Sequence, residues 1–279
     1  MTGMLYLIPT PIGNLGDMTE RACQILREVD LIACEDTRNT QKLLGLFGIK
    51  TSAPLWTYHE YNADKMRPVL IEKLLNGTSI GLVSDAGTPL ISDPGYRLVK
   101  DCIENDITII PLPGANAVLP ALLLSGLASD RFLFNGFLPN KSSARKTELS
   151  ELKNIPATLI FYESPHRVSD TLKDMLAVFG ERDACVVREL TKKFEERKSG
   201  KISELIDFYT QKGEPKGEIV IVVARGDKKE EVSFDIHALL KEALKKNTSL
   251  RDAVDEVTKI TNLDRRKIYK EALDIQKNG

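Results

Sequence analysis

The sequence is poor in the residues that cross-link secreted proteins or bind metal ions. Its 279 residues include four cysteines and three histidines. The cysteines lie far apart without a CxxC pair, which favours reduced, buried thiols over a disulfide framework. No Cys/His spacing suggests a zinc site. We therefore expect a reducing compartment and no bound metal.

Long hydrophobic runs and a strong charge of one sign are also missing. The longest nearly apolar stretch, Ala117–Ala128, is interrupted by Pro120 and Ser125 and is too short to span a bilayer. Because no basic segment precedes a long apolar core at the N-terminus, no signal peptide is predicted, and we expect a cytoplasmic protein without membrane association. A net charge of −1 argues against a globally basic nucleic-acid-binding protein but allows local basic surfaces.

The chain does have a regular alternation of apolar runs and helix-period segments, which is typical of an α/β fold. Its 42% hydrophobic and 28% charged residues are ordinary for a globular protein. The predicted strands are Met4–Ile8, Leu31–Cys34, Ser79–Val83, Ile107–Pro111, Phe132–Phe137, Thr158–Tyr162, Ala184–Arg188 and Glu218–Ala224. The predicted helices are Met18–Glu28 with Asp17 as its cap, Thr37–Phe47, Ala63–Leu75, one with Pro94 in its first turn, Ala115–Leu124, Ser142–Lys153, Pro165–Phe179 and Ile202–Gln211.

Three domains are predicted from this pattern. Residues 1–126 form a first α/β domain and residues 127–226 a second. The polar stretch Arg225–Glu231 is typical of a linker. Residues 232–279 form a small helical domain that resembles a helix-turn-helix unit, with turns at 247–249 and 261–262 and with Ser249 capping the helix Leu250–Ile260.

Glycine and proline cluster where strands of the first domain end. The three loops are Pro9–Asp17, Ser84–Gly95 and Pro113–Ala117. Ligands of open α/β sheets bind beyond the carboxyl ends of the strands, and glycine lets the backbone approach them closely. Three such loops favour a ligand cleft over ordinary turns. No GxxxxGK[ST] is present, and no GxGxxG is followed by a ribose-binding carboxylate, so neither a Walker loop nor a Rossmann dinucleotide site is expected.

Four motifs together resemble the tetrapyrrole-methylase superfamily. They are LYLIPTPIGNLGD, CEDTR at Cys34–Arg38, SDAGTPLISDPG, and FYESPHR at Phe161–Arg167. Their order and spacing are similar to the bacterial branch that methylates the ribose 2′-hydroxyl of a cytidine in 16S ribosomal RNA, at the decoding centre. Tetrapyrrole methylases proper usually carry Gly-Asp-Pro where this chain has Ser84-Asp85-Ala86, a departure that suits the RNA branch.

The resemblance implies a homodimer of two αβα domains per chain, of the class III methyltransferase type, with S-adenosylmethionine in the cleft between them. A small C-terminal helical domain also fits this family. Carried over motif by motif, the cofactor contacts fall on Pro11, Ser84, Asp85, Ala86, Gly87, Asn116, Ala117, Tyr162, Leu190 and Gly217.

A base is needed because a ribose hydroxyl is a very weak acid. Glu35 is one candidate, and Asp36, Glu163 and His166 are the residues we predict to be catalytic. Each acid has the alternative role of a helix cap or a structural ion pair, and His166 that of a capping or packing residue.

Basic residues predict where RNA binds, because guanidinium and ammonium groups neutralise phosphates. The predicted RNA-binding residues are Arg38, Arg167, Arg188, Lys192, Lys193, Arg265, Arg266 and Lys267. The alternative is a solvated helix face, and for the C-terminal residues a role in supporting the dimer. Two other functions stay open at this point: methylation of a small tetrapyrrole, and a non-catalytic RNA-binding role in ribosome assembly.

Overall fold

The structure is a computed structural model, and it describes residues 2–226, 235–246, 249–261 and 264–278. The chain divides into two compact units, Met1–Gly226 and Asp227–Gly279. The larger unit contains two five-stranded sheets, one in each half. The smaller unit is helical wherever it is described, apart from short turns.

The first sheet is entirely parallel. Its strands are β1 (Met4–Ile8), β2 (Leu31–Cys34), β3 (Leu55–Thr57), β4 (Ile80–Val83) and β5 (Thr108–Pro111). They lie in the order β3-β2-β4-β1-β5. Strands β2 and β4 are buried throughout, which explains their uninterrupted apolar sequences. Because the strands are parallel, their carboxyl ends meet at one edge, where the predicted glycine-rich loops follow.

Four helices cover the two faces of this sheet. They are α1 (Glu20–Glu28), α2 (Thr37–Leu46), α3 (Ala63–Leu75) and α4 (Tyr96–Glu104). Leu26 and Leu44 bring α1 and α2 into one core, while Leu74 and Leu98 bring α3 and α4 into the core on the opposite face. The result is the αβα layering that the sequence predicts for this half.

The second sheet is mixed. Its strands are β6 (Phe132–Phe137), β7 (Thr158–Glu163), β8 (Asp183–Arg188), β9 (Glu196–Lys201) and β10 (Ile219–Val223), in the order β6-β7-β10-β8-β9. Only the β6–β7 pair is parallel. The all-apolar strand β10 is central and fully buried, which confirms the prediction of a strong central strand.

Helices from both halves cover this second sheet. One face carries α6 (Ser142–Leu152), α7 (Val168–Phe179) and α8 (Ile202–Lys212). The other face is covered by α5 (Val118–Ser125), whose Val118 and Leu122 pack in one core with Ile160 and Val220. Helix α5 therefore joins the two halves, although it lies before the domain boundary predicted at residue 126. That boundary stays a prediction.

Several predicted helix starts are wrong, for reasons of local capping. Asp17 does not cap the first helix, because it ends a short 3-10 turn and Thr19 accepts the capping hydrogen bond from the Ala22 backbone at 3.1 Å. Pro94 lies before the N-cap Gly95 of α4 and outside its first turn. The helix predicted from Ala115 begins at Val118, after Asn116 accepts a hydrogen bond from the Leu119 backbone.

The remaining differences concern short or polar elements. A separate 3-10 turn, Pro165–Arg167, precedes α7 where one continuous helix was predicted. The prediction missed β3, which has three residues, and β9, whose sequence ERKSGK contains no apolar residue. Strand β9 lies at the sheet edge, where lysine and arginine on an exposed face are common.

In its described residues the smaller unit has three helices, α9 (Ile236–Lys245), α10 (Leu250–Thr261) and α11 (Arg265–Asn278). Leu240, Val254, Val257 and Ile268 form its core. Ser249 accepts the capping hydrogen bond of α10 from the Asp252 backbone at 3.2 Å, as predicted. The linker positions 227–231 and the turn residues Asn247, Thr248 and Asn262 lie outside the described residues. Within the described parts of the chain, no helix has the length and apolar character needed to cross a membrane.

Candidate active site

A cavity of about 410 Å³ lies between the strand ends of the two sheets. Three groups of residues line it: the loops after β1, β2, β4 and β5, the ends of β6 and β7, and the start of β10. The lining residues are Ile12, Glu35, Asp85, Ala86, Gly87, Thr88, Ile91, Ser92, Asp93, Asn116, Ala117, Phe137, Tyr162, Glu163, Ser164, Pro165, Gly217, Glu218, Ile219 and Val220. Small and apolar side chains dominate, and the polar groups are mainly carboxylates.

Ser84 holds the wall of the first half without lining the cavity. Its hydroxyl donates to the Gly87 carbonyl at 3.1 Å, and its own carbonyl accepts from the Thr10 hydroxyl at 3.1 Å. The Thr88 hydroxyl donates to the Ala115 carbonyl at 2.9 Å, which joins the third loop to the same wall. These bonds fix Ala86 and Gly87 where a ligand can approach the backbone closely.

Three carboxylates form an acidic cluster on this wall: Glu35, Asp85 and Asp93. Asp85 accepts hydrogen bonds from the Asn39 side chain at 2.7 Å and from the Asp36 backbone at 3.3 Å. Burial raises the pKa of Glu35 above its usual value, and repulsion from Asp85 adds to the rise. Burial, with repulsion from Glu35 and Asp85, raises the pKa of Asp93 to about 6. Glu35 and Asp93 are therefore poorly solvated while Asp85 is exposed, and the concentration of negative charge favours a cationic ligand.

Aromatic residues of the second half form the opposite wall. Phe134 and Phe137 contact the Tyr162 ring edge-on, at centroid distances of 4.7 and 5.5 Å. Burial raises the pKa of Tyr162 to about 12, so its hydroxyl stays protonated. This wall offers a ligand an aromatic surface with one hydroxyl donor.

Glu163 lies beneath this wall, with only 1% of its side chain exposed. Its carboxylate accepts from the Thr171 hydroxyl at 2.5 Å and from the Ser164 backbone at 2.7 Å, and it lies 3.3 Å from the Arg167 guanidinium. Three partners inside the protein satisfy this buried charge. The arrangement suits a residue that fixes the loop Glu163–Arg167.

Of the ten predicted cofactor residues, seven line the cavity together. They are Asp85, Ala86, Gly87, Asn116, Ala117, Tyr162 and Gly217. Pro11 and Ser84 lie next to lining residues, and Leu190 is buried in the core beside α5. The cofactor contacts themselves stay predictions.

The predicted catalytic residues divide in a similar way. Glu163 lines the cavity, whereas Asp36 and His166 do not. The Asp36 carboxylate caps α2 and contacts the Arg38 guanidinium at 2.6 Å. These hydrogen bonds lower the pKa of Asp36 to about 2, which makes it a poor proton acceptor. Their catalytic roles stay predictions.

Sequence reasoning missed several lining residues. Ile91, Ser92 and Asp93 belong to the loop Ser84–Gly95. Only the first four residues of that loop were predicted to contact the cofactor. Phe137 is the last residue of the predicted strand Phe132–Phe137, and Glu218 is the first residue of the predicted strand Glu218–Ala224. The sequence signal that could have identified Asp93 as a lining residue is its position as a second aspartate in the same loop, directly before Pro94.

The predicted RNA-binding residues differ in how freely they face solvent. Arg38 has 88% of its side chain exposed, and Lys193 is exposed as well. Arg188 is paired with Glu196 at 3.0 Å, and Lys192 is paired with Glu189 at 2.9 Å and Glu218 at 3.0 Å.

Arg167 and the basic residues of α11 also differ in how much of the side chain faces solvent. The Arg167 guanidinium donates to the carbonyls of Leu138 and Pro139 and to the Asn140 side chain, so it serves as a structural anchor. In α11, Arg265 pairs with Asp255 at 2.7 Å, while Arg266 and Lys267 are exposed. Over the described parts of the chain, no three His, Cys, Asp or Glu side chains cluster in a way that could hold a metal ion.

Two protein families match the chain. The profile of the Tetrapyrrole (Corrin/Porphyrin) Methylases matches residues 4–206, and the profile of the RsmI C-terminal HTH domain matches residues 230–276. Between them the two profiles cover the parallel sheet, most of the mixed sheet and the helical unit.

Curated relatives match over nearly the full length. Ribosomal RNA small subunit methyltransferase I of Mesorhizobium japonicum is 46% identical over 273 residues, which cover 98% of this chain and 92% of that protein. The protein of the same name from Vibrio cholerae is 47% identical, with 97% of this chain and 94% of that protein covered.

Solved structures of the same fold are more distant in sequence. Diphthine synthase superimposes with a TM-score of 0.62 at 15% identity, covering 80% of this chain and 90% of that one. Uroporphyrin-III C-methyl transferase from Thermus thermophilus, complexed with S-adenyl homocysteine, gives a TM-score of 0.54 at 16% identity, with 80% and 97% covered. These likenesses show the fold.

Proposed function

The chain belongs to the tetrapyrrole methylase family, within the ribosomal RNA small subunit methyltransferase I group, and is an S-adenosylmethionine-dependent methyltransferase; we propose that its acceptor is the ribose 2′-hydroxyl of a cytidine in 16S ribosomal RNA, at the decoding centre. The observation that carries the proposal is the cavity of about 410 Å³ between the two sheets, combined with identity to the rRNA methyltransferases over nearly the whole chain.

The residues present fit S-adenosylmethionine. Ala86, Gly87 and Ala117 leave room for a bulky ligand, and Gly217 extends this small-residue lining to the second half. The carboxylate of Asp85 suits hydroxyl or ammonium donors. A negative wall in which Glu35 and Asp93 are poorly solvated also suits the positive charge of a sulfonium, whereas an anionic ligand such as a nucleotide phosphate would be repelled there.

Bound S-adenosylmethionine supplies an activated methyl group on a positively charged sulfur. The task left to the protein is to place the ribose oxygen in line behind that methyl group and to remove the proton of the hydroxyl. Correct placement can contribute up to roughly 7–11 kcal/mol in model systems. The rigid backbone loops and the Tyr162 wall provide placement, and the carboxylates provide proton acceptors.

Exposed basic residues near the site and in the C-terminal unit supply the RNA contacts in this proposal. Arg38 and Lys193 are the most exposed of the predicted RNA-binding residues in unit Met1–Gly226, and Arg38 reaches a phosphate by exchanging its ion pair with Asp36. Arg188 and Lys192 are also ion-paired and are much less exposed than Arg38, so we assign them weaker roles. Arg266 and Lys267 supply basic groups on α11. We further propose that the enzyme works in the cytoplasm as a homodimer and acts on the small ribosomal subunit.

Nucleotide-resolution mapping of 2′-O-methylation tests the proposal. 16S RNA from a strain lacking this gene is compared with 16S RNA from the same strain carrying the gene. We expect one decoding-centre cytidine to lose its methyl group in the deletion strain and to regain it on complementation. Purified enzyme with labelled S-adenosylmethionine should also label small subunits from the deletion strain.

Two results would contradict the proposal. Label in a precorrin but not in RNA would favour a small tetrapyrrole as substrate. Binding to small subunits without any change in methylation would favour a non-catalytic assembly role.

A further inference from the structure

The cavity of about 410 Å³ is called the cofactor cavity below, after the ligand proposed for it. A second cavity, of about 590 Å³, adjoins it. It lies at the start of α4, and the chemistry-bearing residues that line it are Tyr58, Glu60, Asp64, Asp93, Tyr96 and Arg97. Ser92 and Asp93 line both cavities. These two residues therefore form the boundary between the cofactor cavity and its neighbour.

Asp93 differs from the other carboxylates that line the cofactor cavity. Glu163 and Glu218 are each held by a cation, Arg167 and Lys192 respectively. Asp85 is bound by the side chain of Asn39. Among the residues that the structure describes, no ion pair engages Asp93. Glu35 has no ion pair either, but it accepts a hydrogen bond from the Asp85 backbone at 3.4 Å and does not line the second cavity. Asp93, which contacts the Ser84 side chain, is the carboxylate that lines both cavities.

The backbone around Asp93 is held in an unusual conformation. Leu90 and Ser92 both have a positive φ, 73° and 67° respectively, in a region that residues other than glycine rarely adopt. Such strain persists where surrounding structure enforces it, often at functional sites. Here the loop packs against the second half of the unit, since a Cβ at Gly136 would lie 3.3 Å from the Ser92 hydroxyl.

Building on the proposed function, we propose that the second cavity receives the target ribonucleoside, swung out of its RNA strand, and that Asp93 accepts the proton of its 2′-hydroxyl. A nucleoside in this cavity has its ribose at the shared wall and therefore next to the cofactor cavity. Enzymes that modify a nucleotide commonly take it out of the stack in this way.

The transfer balances without a further reactant. The ribose oxygen forms a bond to the methyl carbon as the methyl–sulfur bond breaks, and the sulfur keeps that electron pair. The hydroxyl proton passes to a carboxylate oxygen of Asp93 and from there to solvent. The sulfonium sulfur becomes a neutral thioether in the same step, and its positive charge is balanced by the proton released to solvent.

The electrostatics of the wall support this role. A carboxylate whose pKa is raised is a better proton acceptor than an ordinary one and is still ionised at neutral pH. Burial raises the pKa of Asp93 to about 6, with repulsion from Glu35 and Asp85 adding to it and the Ser84 side chain acting in the opposite direction. The titratable and charged groups that line the two cavities around Asp93 are Glu35, Asp85, Tyr162, Glu163 and Glu218 on the cofactor side, and Tyr58, Glu60, Asp64, Tyr96 and Arg97 on the other.

The other lining residues suit a neutral nucleoside. The Tyr96 ring, 71% exposed, can stack on a base. Glu60 and Asp64 can accept from an amino group such as that of cytosine. Arg97, which contacts Asp64 at 2.9 Å and is largely exposed, lies where a flanking phosphate can reach it.

Asp93→Asn tests the proton acceptor in the full-length enzyme. The readouts are the single-turnover rate of methyl transfer to small subunits from the deletion strain and the affinity for S-adenosylhomocysteine by calorimetry. We expect the rate to fall roughly 100-fold or more, with cofactor affinity changed less than about threefold. The control is Asp130→Asn, an exposed carboxylate that lines neither cavity, and it should leave both values unchanged.

The pH profile of the single-turnover rate identifies the group that accepts the proton. The wild-type single-turnover rate should rise as the pH increases through about 6 and then level off, because Asp93 must be ionised to accept a proton. Asp93→Asn should lack this limb, whereas Glu35→Gln should retain it. A limb that disappears in Glu35→Gln and persists in Asp93→Asn overturns the proposal.

Tyr96→Ala tests the second cavity. Loss of one stacking partner should raise the KM for small subunits roughly tenfold without changing cofactor affinity. Tyr61→Ala, a fully exposed tyrosine that lines neither cavity, is the matched control. An unchanged KM in Tyr96→Ala, or a rate within threefold of wild type in Asp93→Asn, refutes the inference while leaving the proposed function intact. Absence of 2′-O-methylation by the wild-type enzyme refutes the proposed function itself.

Discussion

Thr10 and Gly87 exchange a pair of backbone hydrogen bonds, each 2.9 Å long. This isolated antiparallel bridge ties the loop after β1 to the loop after β4. Two motifs that lie more than seventy residues apart in the sequence thus form one wall of the cofactor cavity. The backbone of Gly87 has a φ of +85°, which only glycine adopts without strain.

Gly87→Ala should weaken cofactor binding. A Cβ at this position lies 3.3 Å from the Ile12 side chain, and the positive φ adds strain. We expect at least roughly a tenfold loss of affinity for S-adenosylhomocysteine by calorimetry, equivalent to about 1.4 kcal/mol. Gly45→Ala, in α2 with nothing within 4 Å of its Cβ, is the control. Equal affinities for Gly87→Ala and wild type would show that this wall does not approach the cofactor.

Asp85→Ala should also reduce cofactor affinity, but without loss of fold. The side chain is exposed at the cavity, and its partners, Asn39 and the Asp36 backbone, are exposed as well. Removing one hydrogen-bond acceptor for a charged or hydroxyl donor costs about 1.5–3 kcal/mol, or roughly 10- to 100-fold in affinity. Circular dichroism and calorimetry on the same sample check both halves of the prediction. Unchanged affinity would remove Asp85 from the cofactor site.

Thr171→Val should destabilise the enzyme. Thr171 is fully buried, and its hydroxyl donates to the buried Glu163 carboxylate. Valine has the same shape but leaves one carboxylate oxygen without this partner, at a cost of about 2 kcal/mol. For a unit of this size that lowers the Tm by roughly 4–8 °C in a thermal scan. Thr147→Val, which removes an exposed hydroxyl on α6, should change stability by less than about 0.5 kcal/mol.

Asp93→Asn should stabilise the protein in a pH-dependent way. Its pKa is about 6 in the folded state against an ordinary 3.8, so ionisation is harder in the folded protein than in the unfolded chain. The contribution of Asp93 to the free energy of unfolding therefore falls as the pH rises from about 4 to 6 and stays lower above that range. The asparagine variant lacks this loss, and we expect it to be more stable by on the order of 1 kcal/mol at pH 7.5. Denaturant unfolding at pH 4 and pH 7.5 measures the difference, which should shrink towards zero at the lower pH.

Arg266→Ala combined with Lys267→Ala should weaken binding to small subunits and reduce its salt dependence. Each phosphate contact on a single strand contributes about 0.7 to the slope of log affinity against log salt, so the slope should fall by about 1.4. The control is Lys50→Ala combined with Lys173→Ala, which removes the same charge elsewhere. A slope equal to that of the wild type would favour the alternative in which α11 supports the proposed dimer.

Strong local patterns account for the elements that could be predicted. Continuous apolar runs such as Ile219–Val223 identified central strands, and glycine–proline loops identified the sheet edge that lines the cavity. The predicted helix starts at Asp17 and Pro94 were wrong, because Thr19 and Gly95, the actual N-cap residues, lie within two positions of them. Strand β9 was not predicted because its sequence is polar and it becomes a strand only by pairing with β8.

By itself, the sequence determined the α/β class, the central strands and the family, because apolar periodicity and contiguous motifs are local properties of a chain. The tertiary structure decided which charged residues are available for chemistry. Asp36 and Arg167 fit their predicted roles in the sequence, but one is held by Arg38 and the other by the carbonyls of Leu138 and Pro139. Asp93 was not among the predicted site residues, but it lines both cavities. The physical reason is that burial and charge–charge distance depend on contacts between segments far apart in the chain, and these exist only once the sheets and helices have packed.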